Sequence, residues 1–358
     1  MADGLHTYRY PGRFVTAKGG TLHTPELAYT TYGNVGGEGG TVWVCHALTA
    51  DSDVLSWWAG LFGEGQVFDP RKQGIICVNN PGSCYGSTGP QSIDPSTGTA
   101  YGHRFPELCT KDIALLFGLL RQHLGIDRVS VLVGASQGGQ IAQECILTAG
   151  FAVDRLVLVA TSARHSPWGI AFNESQRMCI ETDATWQTDA PDAGMAGMKA
   201  ARSVALLSYR SYETYETFQS DADDASGTPR AVGYQRYQGE KLASRFNAYS
   251  YHALSKTMDT HRVGNPGETV ERALARIGAD TLVVGIGSDL LFPLPDQAFL
   301  AAHIPGARLV TIDSVYGHDG FLTETEQLSR IIGEFTGSDP VAGGPTLRAE
   351  NITYRQNI

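Results

Sequence analysis

Residues 134–139 read Gly134-Ala135-Ser136-Gln137-Gly138-Gly139. They stand between a β-rich run, Val129-Ser130-Val131-Leu132-Val133, and an apolar helical stretch over residues 138–149. A GxSxG match by itself is weak, because Gly-rich strand–helix turns also cradle phosphates. The strand–turn–helix setting makes it specific: the serine is forced into a sharp turn and its oxygen projects at the start of a helix. Free N–H groups there favour developing negative charge, and the N–H of Gln137 is the expected first donor of an oxyanion hole. No Lys-Ser/Thr pair follows the glycines, so the phosphate-loop reading fails.

Working outward, Thr41–Cys45, Gly74–Val78 and residues 155–160 read as buried strands, and residues 112–124 as a helix. That helix carries Ile113, Leu116, Phe117, Leu120 and Leu124 at helical spacing and ends at Gly125. Strand–helix–strand alternation of this kind predicts a mostly parallel sheet covered by helices. His46-Ala47-Leu48-Thr49 directly follows an early strand, which is where a second oxyanion donor belongs, and Leu48 is the candidate. From residue 164 to 276 the pattern turns helical, polar and Tyr-rich, and strand character returns only at 281–286 and Arg308–Ile312. The chain therefore divides into a first part of the core (1–163), a helical lid (164–276) and a second part of the core (277–358). Asp221, Asp223 and Asp224 cluster inside the insertion and read as a solvated turn rather than a cation site.

An acid and a base should follow the serine in that order, as in the α/β-hydrolase fold. Residues 281–286 lead into Gly287-Ser288-Asp289, a carboxylate at a strand end. Arg308–Ile312 leads into Asp313-Ser314-Val315-Tyr316-Gly317-His318-Asp319-Gly320. Only His303 and His318 lie beyond Asp289, and His303 closes a helix where a helix-end charge accounts for it. Asp296 sits in a helix start and Asp313 only five residues before His318, which leaves Asp289 the better acid. His46 precedes the serine, against the order of the fold, and reads as structural. The predicted constellation is Ser136 as nucleophile, His318 as general base and acid, and Asp289 as its orienting partner.

Composition narrows the rest. The 358 residues carry a formal charge of −10 with no basic run, which argues against a nucleic-acid partner. Six cysteines lack any CxxC or zinc spacing, and no metal constellation or dinucleotide fingerprint is present. No apolar stretch approaches the ~18 residues a membrane span requires, and the first ten residues carry no secretory h-region. The expectation is a cytoplasmic protein without a membrane partner.

Several longer blocks resemble the homoserine O-acetyltransferases. They are His46-Ala47-Leu48-Thr49, Trp57-Trp58, Asn80 to Pro90 (NPGSCYGSTGP), Gly102-His103-Arg104-Phe105-Pro106, the serine elbow, Ser288 to Pro293 (SDLLFP) and Tyr316 to Leu322 (YGHDGFL). The resemblance runs from about Tyr29 to Leu322. It implies ping-pong acyl transfer from acetyl-CoA to the hydroxyl of homoserine through an acetyl-serine, with CoA a co-substrate and no resident cofactor. It also implies a helical lid over a deep tunnel, and a homodimer. By position, Arg202 would take the acceptor's carboxylate, Tyr209 would line the site and Asp319 would meet the ammonium. The chain departs from the family in having Gln137 where Met is common, and around residues 212–230. Related enzymes use succinyl-CoA or L-serine, and an esterase or thioesterase would use the same three residues.

Overall fold

The computed structural model describes residues 4–220 and 227–338. The acidic cluster of Asp221, Asp223 and Asp224 lies outside the described residues. Eight strands form one sheet: β1 (Gly4–Arg9), β2 (Glu26–Tyr32), β3 (Thr41–Cys45), β4 (Gly74–Val78), β5 (Arg128–Ala135), β6 (Ala152–Val159), β7 (Asp280–Ile286) and β8 (Arg308–Ile312). Their spatial order is β1-β2-β4-β3-β5-β6-β7-β8. The pairs β1–β2 and β2–β4 are antiparallel, and every other pair is parallel.

The central strands are apolar along their whole length because both faces are covered. In β3, Val42 and Val44 point to one face and Trp43 and Cys45 to the other, as the two-residue period of a strand dictates. On the Trp43 face lie α1 (Thr110–His123) and α2 (Gln137–Leu147), which contribute Ile113, Phe117, Leu120 and Ile141. The opposite face is closed by Trp57, Trp58 and Phe62 together with the last described helix (Thr325–Thr336) through Leu328, Ile332 and Phe335. The N-terminal antiparallel strands were not singled out in the sequence. β1 alternates between half-buried and exposed residues along GLHTYR, so it lacks the continuous apolar run that marks β3 and β4.

Between β6 and β7 the described chain passes through α3 (Pro167–Glu181), α4 (Met195–Tyr209), α5 (Tyr212–Gln219), α6 (Arg230–Ala243) and α7 (Ala248–Asp259), then a short helical turn (Val270–Leu274). Local chemistry sets several of their starts. Ser166, Ser211 and Asn247 are N-caps whose side chains accept from Gly169, Thr214 and Ser250 N–H groups, and Pro167 occupies the first turn of α3. The inserted helices share an apolar cluster (Ile180, Met198, Tyr251, Leu254) with Leu48, Leu291 and Phe292 of the loops at the sheet's end. Their burial against those loops seats them at the end of the sheet where the loops after β3 and β7 emerge. No described helix is long and apolar enough to cross a membrane. All six cysteines are free thiols.

Candidate active site

Ser136 joins β5 to α2 with φ 55° and ψ −127°, a strained conformation for a residue with a Cβ. The flanking glycines make the turn possible. A Cβ on Gly134 would lie 2.3 Å from the Gly138 carbonyl oxygen, and one on Gly138 would lie 1.9 Å from that of Cys45. Elbow, helix and the end of β3 therefore touch backbone to backbone. Ser136 N donates to Val159 O at 3.0 Å, and the Ser136 carbonyl accepts from Gly139 N and from Thr161 Oγ1, the latter at 2.7 Å. These bonds hold the strained residue from three sides.

The three residues from distant parts of the chain meet here. Ser136 Oγ and His318 Nε2 are 3.0 Å apart, and His318 Nδ1 is 2.7 Å from Asp289 Oδ2. Asp289 Oδ1 accepts from the N–H groups of Leu291 and Phe292 at 2.8 and 2.9 Å, so the carboxylate is fixed before it meets the imidazole. All three are buried. The His318 ring stacks on Phe292 (centroids 5.2 Å apart), meets Phe321 edge-on and leans on Tyr209 at 5.8 Å. Burial alone would disfavour the imidazolium. The charge and hydrogen bond of Asp289, with help from Asp319, outweigh it and hold the His318 pKa above its ordinary value. The rival residues stand elsewhere. Asp296 is in the first turn of α8 (Leu294–His303) with burial raising its pKa to about 6, and His303 bonds its own helix through Phe299 O.

Gln137 opens α2, so its backbone N–H has no carbonyl within its own helix to meet. Its side chain is turned away: Nε2 donates to Leu254 O of α7 at 3.1 Å, and Oε1 faces Asn80 Nδ2 at 3.5 Å. Leu48 is buried on the opposite loop, among residues of the inserted helices. His46 is fully buried and structural: Nε2 accepts from Asn80 N at 2.9 Å and Nδ1 bonds Ala47 O at 2.8 Å. This joins the loops after β3 and β4. Burial pushes its pKa down, which keeps the ring neutral.

Arg202 and Tyr209 lie on one side of α4. The guanidinium sits 5.3 Å over the Tyr209 ring, and Tyr209 in turn contacts His318. Arg202 is only 6% exposed, and its Nε finds no hydrogen-bond partner among the described residues. Tyr209 is half-buried, desolvation raises its pKa, and it bonds Tyr251, whose own hydroxyl donates to Gln176 Oε1. Asp319 is beside the base, where its Oδ2 is 2.9 Å from Arg210 Nε. Sequence reasoning gave no role to Arg210, Phe292 or Tyr251. Arg210 directly follows Tyr209, but no local pattern links it to a loop more than a hundred residues away.

The α/β hydrolase fold family model matches residues 40–325. The homoserine O-acetyltransferase of Cyclobacterium marinum is 42% identical over 311 residues, covering 87% of this chain and 89% of that protein. The chain belongs to the homoserine O-acetyltransferase family. In structure, the homoserine O-acetyltransferase from Bacillus anthracis superposes with a TM-score of 0.85 over 95% of this chain and 99% of that one, at 21% identity. An acetylester hydrolase from Corynebacterium glutamicum superposes with a TM-score of 0.82 over 94% and 96%, at 22% identity. At such identities both likenesses speak for the fold alone. As a member of this family the protein is an O-acyltransferase, and Ser136, His318 and Asp289 stand in it as one hydrogen-bonded series.

Proposed function

We propose that the enzyme moves the acetyl group of acetyl-CoA to the hydroxyl of L-homoserine through an acetyl-Ser136 intermediate. In the first half-reaction His318 takes the Ser136 proton as Oγ attacks the thioester carbonyl, then delivers it to the departing thiolate. Asp289 keeps Nδ1 protonated, so that Nε2 is free to accept. The N–H groups of Gln137 and Leu48 serve the tetrahedral oxyanion. In the second half-reaction homoserine's hydroxyl gives its proton to His318 and attacks the acetyl-serine carbonyl, and His318 returns that proton to Ser136 Oγ as its bond to the acetyl group breaks, releasing O-acetylhomoserine and the free serine. Helices α3 to α7 act as the lid that keeps water from competing.

The observation that carries this reading is Arg202. A buried guanidinium with an unpartnered Nε, one aromatic ring from the base, is costly unless an anion joins it. A substrate carboxylate fits that need, and Asp319, beside His318 and paired with Arg210 through Oδ2, is the carboxylate at hand for the ammonium. Exposed Trp168, Leu207 and Tyr212 on the inserted helices suit a contact between two copies. Six free thiols suit a reducing compartment, and we assign the protein to the cytoplasm.

The test follows free thiol release from acetyl-CoA with and without L-homoserine, using Ser136→Ala as control. Release that needs homoserine and vanishes in the variant supports the transfer. L-serine and succinyl-CoA in the same assay decide acceptor and donor. Release independent of any acceptor would assign a thioesterase instead.

A further inference from the structure

The loop carrying His318 is gripped from two sides. On the core side Ser288, next to Asp289, donates to Ser314 O at 2.6 Å and accepts from Gly317 N at 3.1 Å. On the other side the loop lies against residues 209–218 of the inserted helices. Ser211 Oγ and Thr214 Oγ1 both donate to Val315 O. Phe218 stacks on Tyr316 with centroids 5.7 Å apart and planes 12° apart. Arg210 spans two loop residues: its guanidinium lies 5.6 Å over the Tyr316 ring, and its Nε is 2.9 Å from Asp319 Oδ2. A Cβ on Gly317, which has φ +64°, would lie 2.9 Å from Ser211 N and 3.0 Å from Tyr209 O. Hydrogen bonds, ring stacking, an ion pair and backbone contact thus converge on residues 315–319, with His318 among them.

We propose that Arg210 is a positioning residue: by tying Asp319 and Tyr316 to the start of α5, it holds the His318 imidazole in line with Ser136. The base sits on a short 3-10 turn (Gly317–Asp319). Its alignment therefore depends on what the turn is fastened to. A displacement of about 1 Å at a reacting group costs roughly a hundredfold in rate. The Arg210 and Asp319 side chains are only 12% and 10% exposed, so removing the guanidinium leaves a largely buried carboxylate without its cation. The inference rests on Ser136–His318 chemistry and is independent of which donor and acceptor the enzyme uses.

The experiment measures the pre-steady-state acylation of Ser136 by p-nitrophenyl acetate, which requires neither CoA nor an amino acid. Arg210→Met is expected to slow acylation at saturating ester at least tenfold with its half-saturation concentration unchanged, and Arg210→Lys to recover most of the loss. The low-field proton NMR signal of the His318–Asp289 hydrogen bond should be lost in Arg210→Met and return in Arg210→Lys. Thr214→Val, which removes one donor to Val315 and no charge, should slow acylation a few-fold. A folded Arg210→Met enzyme with wild-type acylation overturns the proposal. Should that variant fail to fold, Tyr316→Leu, which removes the ring beneath the guanidinium, takes its place, and wild-type acylation in it overturns the proposal equally. Absence of acylation in the wild-type protein would instead refute the Ser136 chemistry beneath it.

Discussion

Replacing Asp289 by Asn isolates what the carboxylate does, because the structure dictates how the amide must sit. Two N–H groups, from Leu291 and Phe292, point at Oδ1. The amide oxygen must remain there to satisfy them, which turns its NH2 toward His318 Nδ1. That nitrogen must then accept, so the ring proton moves to Nε2 and faces Ser136 Oγ as a donor. A base in this tautomer cannot take the serine proton. The expected loss is ~10⁴ in the acylation rate, or about 5.4 kcal/mol in the barrier. Stability should change little, since both backbone hydrogen bonds survive. Acylation by acetyl-CoA measured in a quenched-flow series from pH 5 to 9 gives the rate, and thermal unfolding gives the control. In the wild type the acid limb should fall at a pKa above that of ordinary histidine, because protonation removes the base and Asp289 favours the protonated form. In the variant that pKa should drop, since only the charge of Asp319 then opposes burial. An Asp289→Asn enzyme within tenfold of wild type would refute the tautomer argument.

Gly138→Ala should lower stability by about 3 kcal/mol, the upper end of overpacking effects, because the added carbon meets the Cys45 backbone rather than a movable side chain. Urea unfolding reads it, and an unchanged midpoint would contradict the close approach of elbow and β3. Arg202→Met should leave acetyl-CoA half-reaction rates intact while lowering kcat/KM for homoserine roughly 30- to 150-fold, for the ~2–3 kcal/mol of a charge-assisted contact. Equal losses in both half-reactions would remove Arg202 from acceptor binding. Glu144 of α2 is buried, which raises its pKa to about 7. A carboxyl whose folded pKa is raised gives stability that is complete below the unfolded pKa and is lost as pH rises through the folded one. Glu144→Gln should therefore be more stable than wild type at pH 8, by up to about 3 kcal/mol, with the gap closing near pH 4. A pH-independent difference would rule out ionisation as its cause.

The sequence discloses most where chemistry and backbone constraint are local. The elbow is readable because Gly134 and Gly138 are demanded by contacts within a few ångström, and because a strand and a helix must flank it. β3 and β4 are readable because both faces are covered and every residue is buried. β1 escaped notice because half its residues face solvent and its pairing with β2 is long-range. The pairing of Arg210 with Asp319 was hidden for the same reason. It joins the end of α4 to a loop that only the tertiary fold brings near, and Asp319 alone reads as an open acceptor of substrate charge. His46 illustrates the reverse case, where the chain order of the fold predicted a structural role and the Asn80 N–H supplies its physical reason.

The most direct test of the account is intact-protein mass spectrometry after mixing the enzyme with acetyl-CoA and no acceptor. An acyl-serine intermediate gives one acetyl group per chain, mapped to the peptide containing Ser136, absent in Ser136→Ala and discharged within one turnover when L-homoserine is added. An unmodified protein that still converts homoserine at full rate would contradict it, because direct attack on the thioester would then replace the acyl-serine.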